Sequence, residues 1–177
     1  MAYATVTAIG KDRVGIVDDI AGFLTGLGHN IEESRMALLG GEFAGIVLVS
    51  GDESAVDRLV HEADSFGARA GLTVRVVRTD KPPHDRADRP YRLSAYSLDT
   101  PGLVHAVSSV LRDLSINIED LESDVTAAPW TGAPMFRMEA RIVLPSSVPI
   151  GRVKDALAKL ESERDLDIRL DPVAAGA

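Results

Sequence analysis

The sequence contains no cysteine, which excludes disulfides, thiolate nucleophiles and the usual cysteine-based zinc sites. Aromatic residues make up only 5%, and basic residues are outnumbered: 19 Lys and Arg stand against 27 Asp and Glu, for a formal charge of −8. Because direct nucleic-acid binding relies on neutralising phosphates, this balance argues against a DNA- or RNA-binding protein. No apolar run approaches the roughly 18 residues needed to span a bilayer.

Motifs for secretion, metal binding and catalysis are also missing. The first residues, Met1 to Val6, lack the basic and apolar segments of a signal peptide, so we expect a cytoplasmic location. No nucleophile motif or glycine-rich phosphate loop occurs, so neither an enzyme nor a cofactor is predicted. No metal site is predicted either, because the four histidines never occur at ligand spacing: His29, His61, His84 and His105.

A short motif occurs twice in the same register. The stretch Asp12-Arg13-Val14-Gly15-Ile16-Val17 returns 87 residues later as Asp99-Thr100-Pro101-Gly102-Leu103-Val104, and the same offset aligns Asn30-Ile31-Glu32 with Asn117-Ile118-Glu119. A shared helical period would align apolar residues, but it has no reason to align Gly with Gly or Asn with Asn. The sequence therefore predicts two copies of one domain.

Apolar periodicity predicts the order βαββαβ in each copy. We expect a first domain at 1–79, a linker at 80–90, a second domain at 91–171 and a tail at 172–177. A chain of this order and size most simply forms an α+β, ferredoxin-like fold, with an antiparallel four-stranded sheet and both helices on one face. Joining the two sheets side by side would cover an exposed edge of each.

These motifs resemble the ACT domain, a small-molecule-sensing module. The resemblance rests on a Gly in a D-x-x-G-[IL]-[VL] turn after the first strand and on the Asn-Ile pair that opens the second. The first copy, through Gly40-Gly41-Glu42-Phe43, is most similar to the tandem-ACT proteins of the glycine cleavage system transcriptional repressor family. It is also similar to the amino-terminal domain of formyltetrahydrofolate deformylase, but the two copies leave no room for a catalytic domain.

The residues of the turn suit an amino-acid ligand. A helix N-terminus offers free N–H groups and partial positive charge, and Gly15 lets an α-carboxylate approach the backbone. We expect Arg13 to help hold that carboxylate and Asp12 to face the ammonium group or to fix the loop. We also expect Thr100 and Pro101 to cap and start the helix of the second copy, which would make the first turn the better anion site.

The resemblance implies that the ligand lies between the turn of one domain and the second strand of its neighbour. The predicted ligand-binding residues are Asp12, Arg13, Val14, Gly15, Ile16, His29, Asn30, Ile31, Asp99, Gly102, Leu103, Asn117 and Ile118. We expect the turns and the Asn residues to meet at the same end of the fold.

Each of these residues also has a structural interpretation, and the sequence leaves the choice open. The two glycines can serve close helix packing, the Asn residues can form turns, and Arg13 can be a solvated surface residue. The acidic residues at 119–124 favour a solvated strand face over a cation site, because successive strand residues alternate between faces. Trp130 fits a partner contact, a lid or a core anchor.

The sequence favours a non-enzymatic regulator that binds a small amino acid. By resemblance, its partner is a transcription regulator reached by protein–protein contact. Two alternatives are a ligand-free interaction module and a stand-alone regulatory subunit of a metabolic enzyme. Whether the copies close on each other or form a homodimer is left open.

Overall fold

The computed structural model describes residues 1–80 and 89–173. They form two compact units, the first within Met1–Pro83 and the second within His84–Ala177. Most of the predicted linker at 80–90 and of the predicted tail at 172–177 lies outside the described residues. No helix of the described part of the chain is long and apolar enough to cross a membrane.

The first unit has the predicted order of strands and helices. Its elements are β1 (Ala2–Lys11), α1 (Ile16–Gly26), β2 (Asn30–Leu39), β3 (Glu42–Gly51), α2 (Glu53–Ala70) and β4 (Leu72–Thr79). The antiparallel sheet has the strand order β2-β3-β1-β4. Gly40 and Gly41, with φ of 60° and 81°, form the hairpin turn between β2 and β3.

The second unit repeats this architecture. Its elements are β5 (Arg89–Leu98), α3 (Leu103–Asp113), β6 (Asn117–Ala127), β7 (Pro134–Leu144), α4 (Ile150–Arg164) and β8 (Asp167–Pro172). The strand order β6-β7-β5-β8 matches that of the first sheet. The duplicated α+β, ferredoxin-like fold predicted from the sequence is thus confirmed, while the pairing of the two sheets stays a prediction.

Each unit has its own hydrophobic core beneath one face of its sheet. Alternate residues of β1 are buried (Ala4, Val6 and Ala8), and Leu24 of α1 packs on them. In the second unit Leu111, at the offset of 87, has the same position and is likewise fully buried. The period-2 burial of the strands leaves the other face of each sheet open.

The connection between β6 and β7 differs from its counterpart in the first unit. Ala128 and Ala133 close a loop in which the Ala128 amide donates to the Ala133 carbonyl at 2.8 Å. Trp130 lies at its tip with 97% of its surface exposed. The core-anchor interpretation of Trp130 is therefore wrong.

Candidate functional site

Each unit has a glycine turn between its first strand and first helix. Gly15 and Gly102 are the N-cap residues of α1 and α3, with φ of 92° and 91°. This left-handed conformation disfavours residues with a Cβ, which explains a glycine at both positions. Neither helix has a side-chain cap, so the expectation that Thr100 caps α3 is wrong: Thr100 lies in the loop, two residues before the N-cap.

The uncapped turns leave backbone amides free. The first helical bonds run from Asp19 N to Gly15 O and from Ala106 N to Gly102 O, both at 2.9 Å. Among residues 1–80 and 89–173, none of the amides of 16–18 or 103–105 donates a hydrogen bond of normal geometry outside its own helix. Free amides at a helix N-terminus, together with the helix dipole, favour an anionic group.

The two turns differ in charge. Asp18 and Asp19 lie in the first turn of α1, whereas α3 has no acidic residue there. The two carboxylates already compensate the positive end of the α1 dipole. The charge near the second turn therefore favours an anion more than that near the first, whereas the sequence expectation favoured the first turn.

Arg13 is held by its own unit. Its Nη2 lies 2.6 Å from Asp19 Oδ2 and donates to the Ala70 carbonyl at 3.1 Å, while Nη1 donates to the Val14 carbonyl at 3.3 Å. These contacts fix the turn against the C-terminal end of α2. To hold a ligand carboxylate, Arg13 would have to leave Asp19.

Asp12 and Asp99 occupy equivalent places in the two turns. The Asp12 amide donates to the Gly41 carbonyl at 3.1 Å, and the Asp99 amide donates to the Pro134 carbonyl at 2.9 Å. Both bonds tie the turn to the end of the neighbouring β-hairpin. The two carboxylates are exposed and make no hydrogen bond or ion pair with another residue of the described chain, so they are available to an ammonium group.

Among the apolar residues predicted at the turns, only Val14 is exposed, with its full surface in solvent. Ile16 and Leu103 are each 2% exposed and belong to the two cores. They can therefore contribute only backbone amides to a ligand.

The second-strand residues form a separate group. Asn30 is exposed, and its Nδ2 donates to Glu32 Oε1 at 3.0 Å; that same carboxylate oxygen accepts from Ser50 Oγ at 2.5 Å. Asn117 is exposed as well, Ile31 is 39% exposed, and Ile118 is half-buried.

His29 does not point towards a ligand. It is 6% exposed, with Nδ1 3.3 Å from the Ser50 carbonyl oxygen and Nε2 3.2 Å from the Ala55 carbonyl oxygen. The ring joins the end of β3 to the first turn of α2. Its predicted ligand contact is replaced by a structural one, because the fold brings two carbonyl groups to this side chain.

The turn and the Asn lie at opposite ends of each unit. Asn30 is opposite Ser50, which is opposite Tyr3 at the start of β1, whereas Asp12 follows Lys11 at the end of β1. Lys11 is eight residue steps along the strand from Tyr3, a span of about 26 Å. The expectation that these features meet at one end of the fold is therefore wrong within a single unit.

A shallow cavity of about 440 Å³ lies beside the second-strand group of the second unit. It is lined by Asn117 and Ile118 together with Ser108 and Arg112 of α3 and Ser115, which follows that helix. The sequence prediction missed these α3 residues, although Ser108 and Arg112 are four apart and thus share a helix face. In the described part of the chain, no group of three or more acidic or histidine side chains could hold a metal ion.

Comparison with known proteins supports the family resemblance. The model of the ACT domain matches residues 2–77. The glycine cleavage system transcriptional repressor of Escherichia coli is 29% identical over 161 residues, which cover 91% of this chain and 85% of that protein. A UPF0237 protein of Methanopyrus kandleri is 37% identical over 82 residues, and the match covers 91% of that protein.

Solved structures with the same fold cover almost the whole chain. A crystal structure of an unknown protein from Galdieria sulphuraria is 34% identical, with a TM-score of 0.81 and coverage of 98% of this chain and 99% of that one. A protein provisionally assigned as a glycine cleavage system transcriptional repressor is 23% identical; it shares the fold with a TM-score of 0.72 over 97% of both chains. The chain thus belongs to the ACT-domain family, as a tandem ACT-domain protein similar over most of its length to the glycine cleavage system transcriptional repressor.

Proposed function

We propose that the chain is a non-enzymatic regulator that binds a small amino acid at its glycine turns. The observation that carries this proposal is the pair of uncapped helix N-termini at Gly15 and Gly102. The free amides would donate to the α-carboxylate, and the carboxylate of Asp99 or Asp12 would accept a bond from the ammonium group. The turn of α3 is the preferred site because its first helical turn carries no acidic residue.

An Asn from a second strand would complete the site, contributed by a second copy of the chain. This follows from the separation of turn and Asn within one unit. An Asn side chain offers both a donor and an acceptor to an amino acid. The ligand would then stabilise one arrangement of the domains in proportion to its differential affinity for it.

The output of the regulator would be contact with a partner protein. A relative over most of the chain is named a transcriptional repressor, while the formal charge of −8 disfavours direct DNA binding. A transcription regulator bound through protein–protein contact reconciles the two observations. An enzyme of amino-acid metabolism is the alternative partner.

Thermal unfolding of the full chain with a panel of amino acids tests the proposal. A ligand at about 100 times its dissociation constant should stabilise the chain by roughly 2.7 kcal/mol. Asp99→Asn should weaken binding about tenfold, because the ammonium group loses a charged partner. Asp155→Asn, on the exposed surface of α4, is the matched control and should bind like the wild type.

Two results would overturn it. If no amino acid raises the unfolding temperature, the chain is not a sensor of these ligands. If Asp99→Asn and Asp155→Asn bind equally well, the site is not at the turn of α3. In the same assay, unchanged affinity of Arg13→Ala would remove Arg13 from the site.

A ligand-free interaction module is the second candidate function. It is favoured by the exposed apolar residues of the edge strand β2, where Leu38 and Leu39 are 57% and 77% exposed. An exposed apolar edge strand is a template for pairing with another chain. Concentration-dependent oligomerisation without any ligand effect would support this alternative.

A further inference from the structure

The open face of the second sheet carries a cavity of about 260 Å³ lined mostly by charged side chains. The charged residues are Arg92 of β5, Asp120 and Glu122 of β6, and Glu139 and Arg141 of β7. All belong to the second unit and lie on the face opposite the helices. The cavity is distinct from both glycine turns, and its volume is just below the range of about 300–1,000 Å³ of typical ligand pockets.

Strand register places two cations side by side in this cavity. Arg92 lies opposite Arg141 across β5 and β7, and the row continues outward to Asp171 on β8 and Asp120 on β6. Like charges directly opposite each other destabilise a sheet. A carboxylate bound between the two guanidinium groups would relieve this repulsion with charge-assisted hydrogen bonds.

The next row places two anions side by side. Glu139 lies opposite Glu122 across β7 and β6. Asp120, Glu122 and Asp124 share this face because they are two residues apart, and Glu119, at the bulge, also reaches it through its bond to Arg141, so the expectation that the acidic residues divide between both faces is wrong. An amino group placed between Glu122 and Glu139 would relieve the second repulsion.

Much of the hydrogen-bonding capacity in this cavity is unused. Within the described residues, Arg92 makes no hydrogen bond or ion pair, and Arg141 uses only Nε, which donates to Glu119 Oε2 at 2.9 Å. Glu122 has no partner there, whereas Glu139 Oε1 accepts from Arg137 Nη2 at 2.5 Å. The hydrogen bond from Arg137, which is the largest effect, and the charge of Arg92 hold the pKa of Glu139 below its usual value. The carboxylate therefore stays ionised.

The first unit lacks this arrangement. The row equivalent to Asp120, Arg141, Arg92 and Asp171 is formed there by Glu33, Leu48, Thr5 and Val77. The fold by itself therefore does not require the charges, since the same sheet forms with Thr and aliphatic residues. A lone anion would meet three carboxylates in the cavity, and a lone cation would meet two guanidinium groups.

We propose that the cavity on the open face of the second sheet binds a small zwitterion, with its carboxylate on Arg92 and Arg141 and its amino group on Glu122 and Glu139. The carboxylate of such a molecule lies between two cations, and its amino group lies between two anions. A simple anion or a simple cation can use only one of these two pairs. The cavity is a site for a second small molecule, independent of the ligand proposed at the turns.

Backbone amide NMR of the full chain, at constant ionic strength, tests the proposal with glycine, β-alanine and γ-aminobutyrate as zwitterionic probes. Acetate and methylammonium are the singly charged probes. We expect saturating shifts around residues 92, 120–122 and 139–141 from at least one zwitterion. Acetate and methylammonium should bind at least about tenfold more weakly, because each leaves one charged pair unmatched.

Variants assign the two halves of the site. Arg92→Gln should weaken the zwitterion at least about tenfold, whereas Arg152→Gln, on the exposed surface of α4, should leave it unchanged. Glu122→Gln should weaken the zwitterion without weakening acetate. Because all three side chains are exposed, we expect the variants to fold, and their amide spectra report it directly.

Three outcomes would overturn the proposal: no saturating shift on this face with any zwitterion, equal affinity for acetate and for the zwitterion, or equal binding by Arg92→Gln and Arg152→Gln. Binding at the glycine turns would shift amides at 12–18 and 99–105 instead. It would also persist in Arg92→Gln, so failure of one site is distinguishable from failure of the other.

Discussion

At the scale of single residues, His29 shows how a polar side chain becomes part of a core. Its ring fits because Gly51 has no Cβ, which would lie 2.8 Å from Nδ1. Replacing His29 by Ala removes the contact to both carbonyl groups and leaves a cavity, so we expect a loss of about 2 kcal/mol in the free energy of unfolding. Urea titration measures it, and His61→Ala, on the exposed surface of α2, should cost less than about 0.5 kcal/mol.

Gly15 and Gly22 should respond to the same substitution with opposite sign. Gly15→Ala places a Cβ at φ 92° and should cost about 1–2 kcal/mol. Gly22 lies inside α1 with nothing within 4 Å of an added Cβ, so Gly22→Ala should stabilise by roughly 0.5–1 kcal/mol. Urea midpoints of both variants check this, and a stabilising Gly15→Ala would contradict the strained turn.

The sequence predicted the glycine turns but not what surrounds them. The Gly-to-Gly match at the offset of 87 was sufficient to find the turns, since few other residues tolerate this conformation. The partners of Arg13 and His29 were not predictable, because the Ala70 carbonyl is 57 residues from Arg13 and the Ala55 carbonyl is 26 residues from His29. Such contacts depend on tertiary packing that no local pattern reports.

At the scale of secondary structure, the start of α2 is set by Asp52. Its Oδ1 accepts from the Ala55 amide at 2.6 Å and from Ser54 Oγ at 2.9 Å, which makes it the N-cap of the helix. The bond from the Ala55 amide, followed by that from Ser54, holds the pKa of Asp52 below its ordinary value of 3.8. The folded state therefore favours the ionised carboxylate.

This shift predicts a loss of stability in acid. A carboxyl group whose pKa is lower in the folded state stabilises the fold above about pH 4, and that contribution is lost as the pH falls through the lowered pKa. Asp52→Asn keeps a capping side chain but does not titrate, so its stability should fall less between about pH 5 and pH 2. Urea titrations across this range measure the difference, and identical pH profiles would refute it.

Element order was predictable for a physical reason, and helix starts were less so. Apolar residues recur with period 2 in most strands and near 3.6 in helices, which predicted the order of elements that the described residues show in each unit. Thr100 and Pro101 resemble a helix start, yet α3 begins at Leu103. The turn needs a left-handed residue before the first helical one, and only Gly102 supplies it without strain.

At the scale of the whole molecule, the two hydrophobic cores are separate clusters, each formed by residues of one unit. Leu24→Ala and Leu111→Ala remove the same fully buried side chain from equivalent positions. Each should cost about 3–5 kcal/mol in its own unit. Calorimetry with unit-specific amide exchange should show lost protection only in the substituted unit, whereas equal loss in both would indicate a single cooperative core.

The repeated sequence predicted two copies of the fold, but it wrongly placed the glycine turn and the second-strand Asn at the same end of each copy. The two strands of a βαβ unit run parallel to each other and antiparallel to the helix between them. The loop before the helix and the loop after it therefore lie at opposite ends of the unit. Asp12 and Asn30 are therefore separated by about the length of a strand. A sequence motif gives candidate residues, while the topology decides which of them can lie together.

Trp130 has a practical consequence. It is the sole tryptophan of the chain, and it stands in water at the tip of the β6–β7 loop. Its fluorescence emission therefore reports the surroundings of one loop tip and is almost insensitive to the packing of either core. Any macromolecule that covers this tip would shift the fluorescence towards the blue, which gives an unlabelled optical assay for binding at this loop.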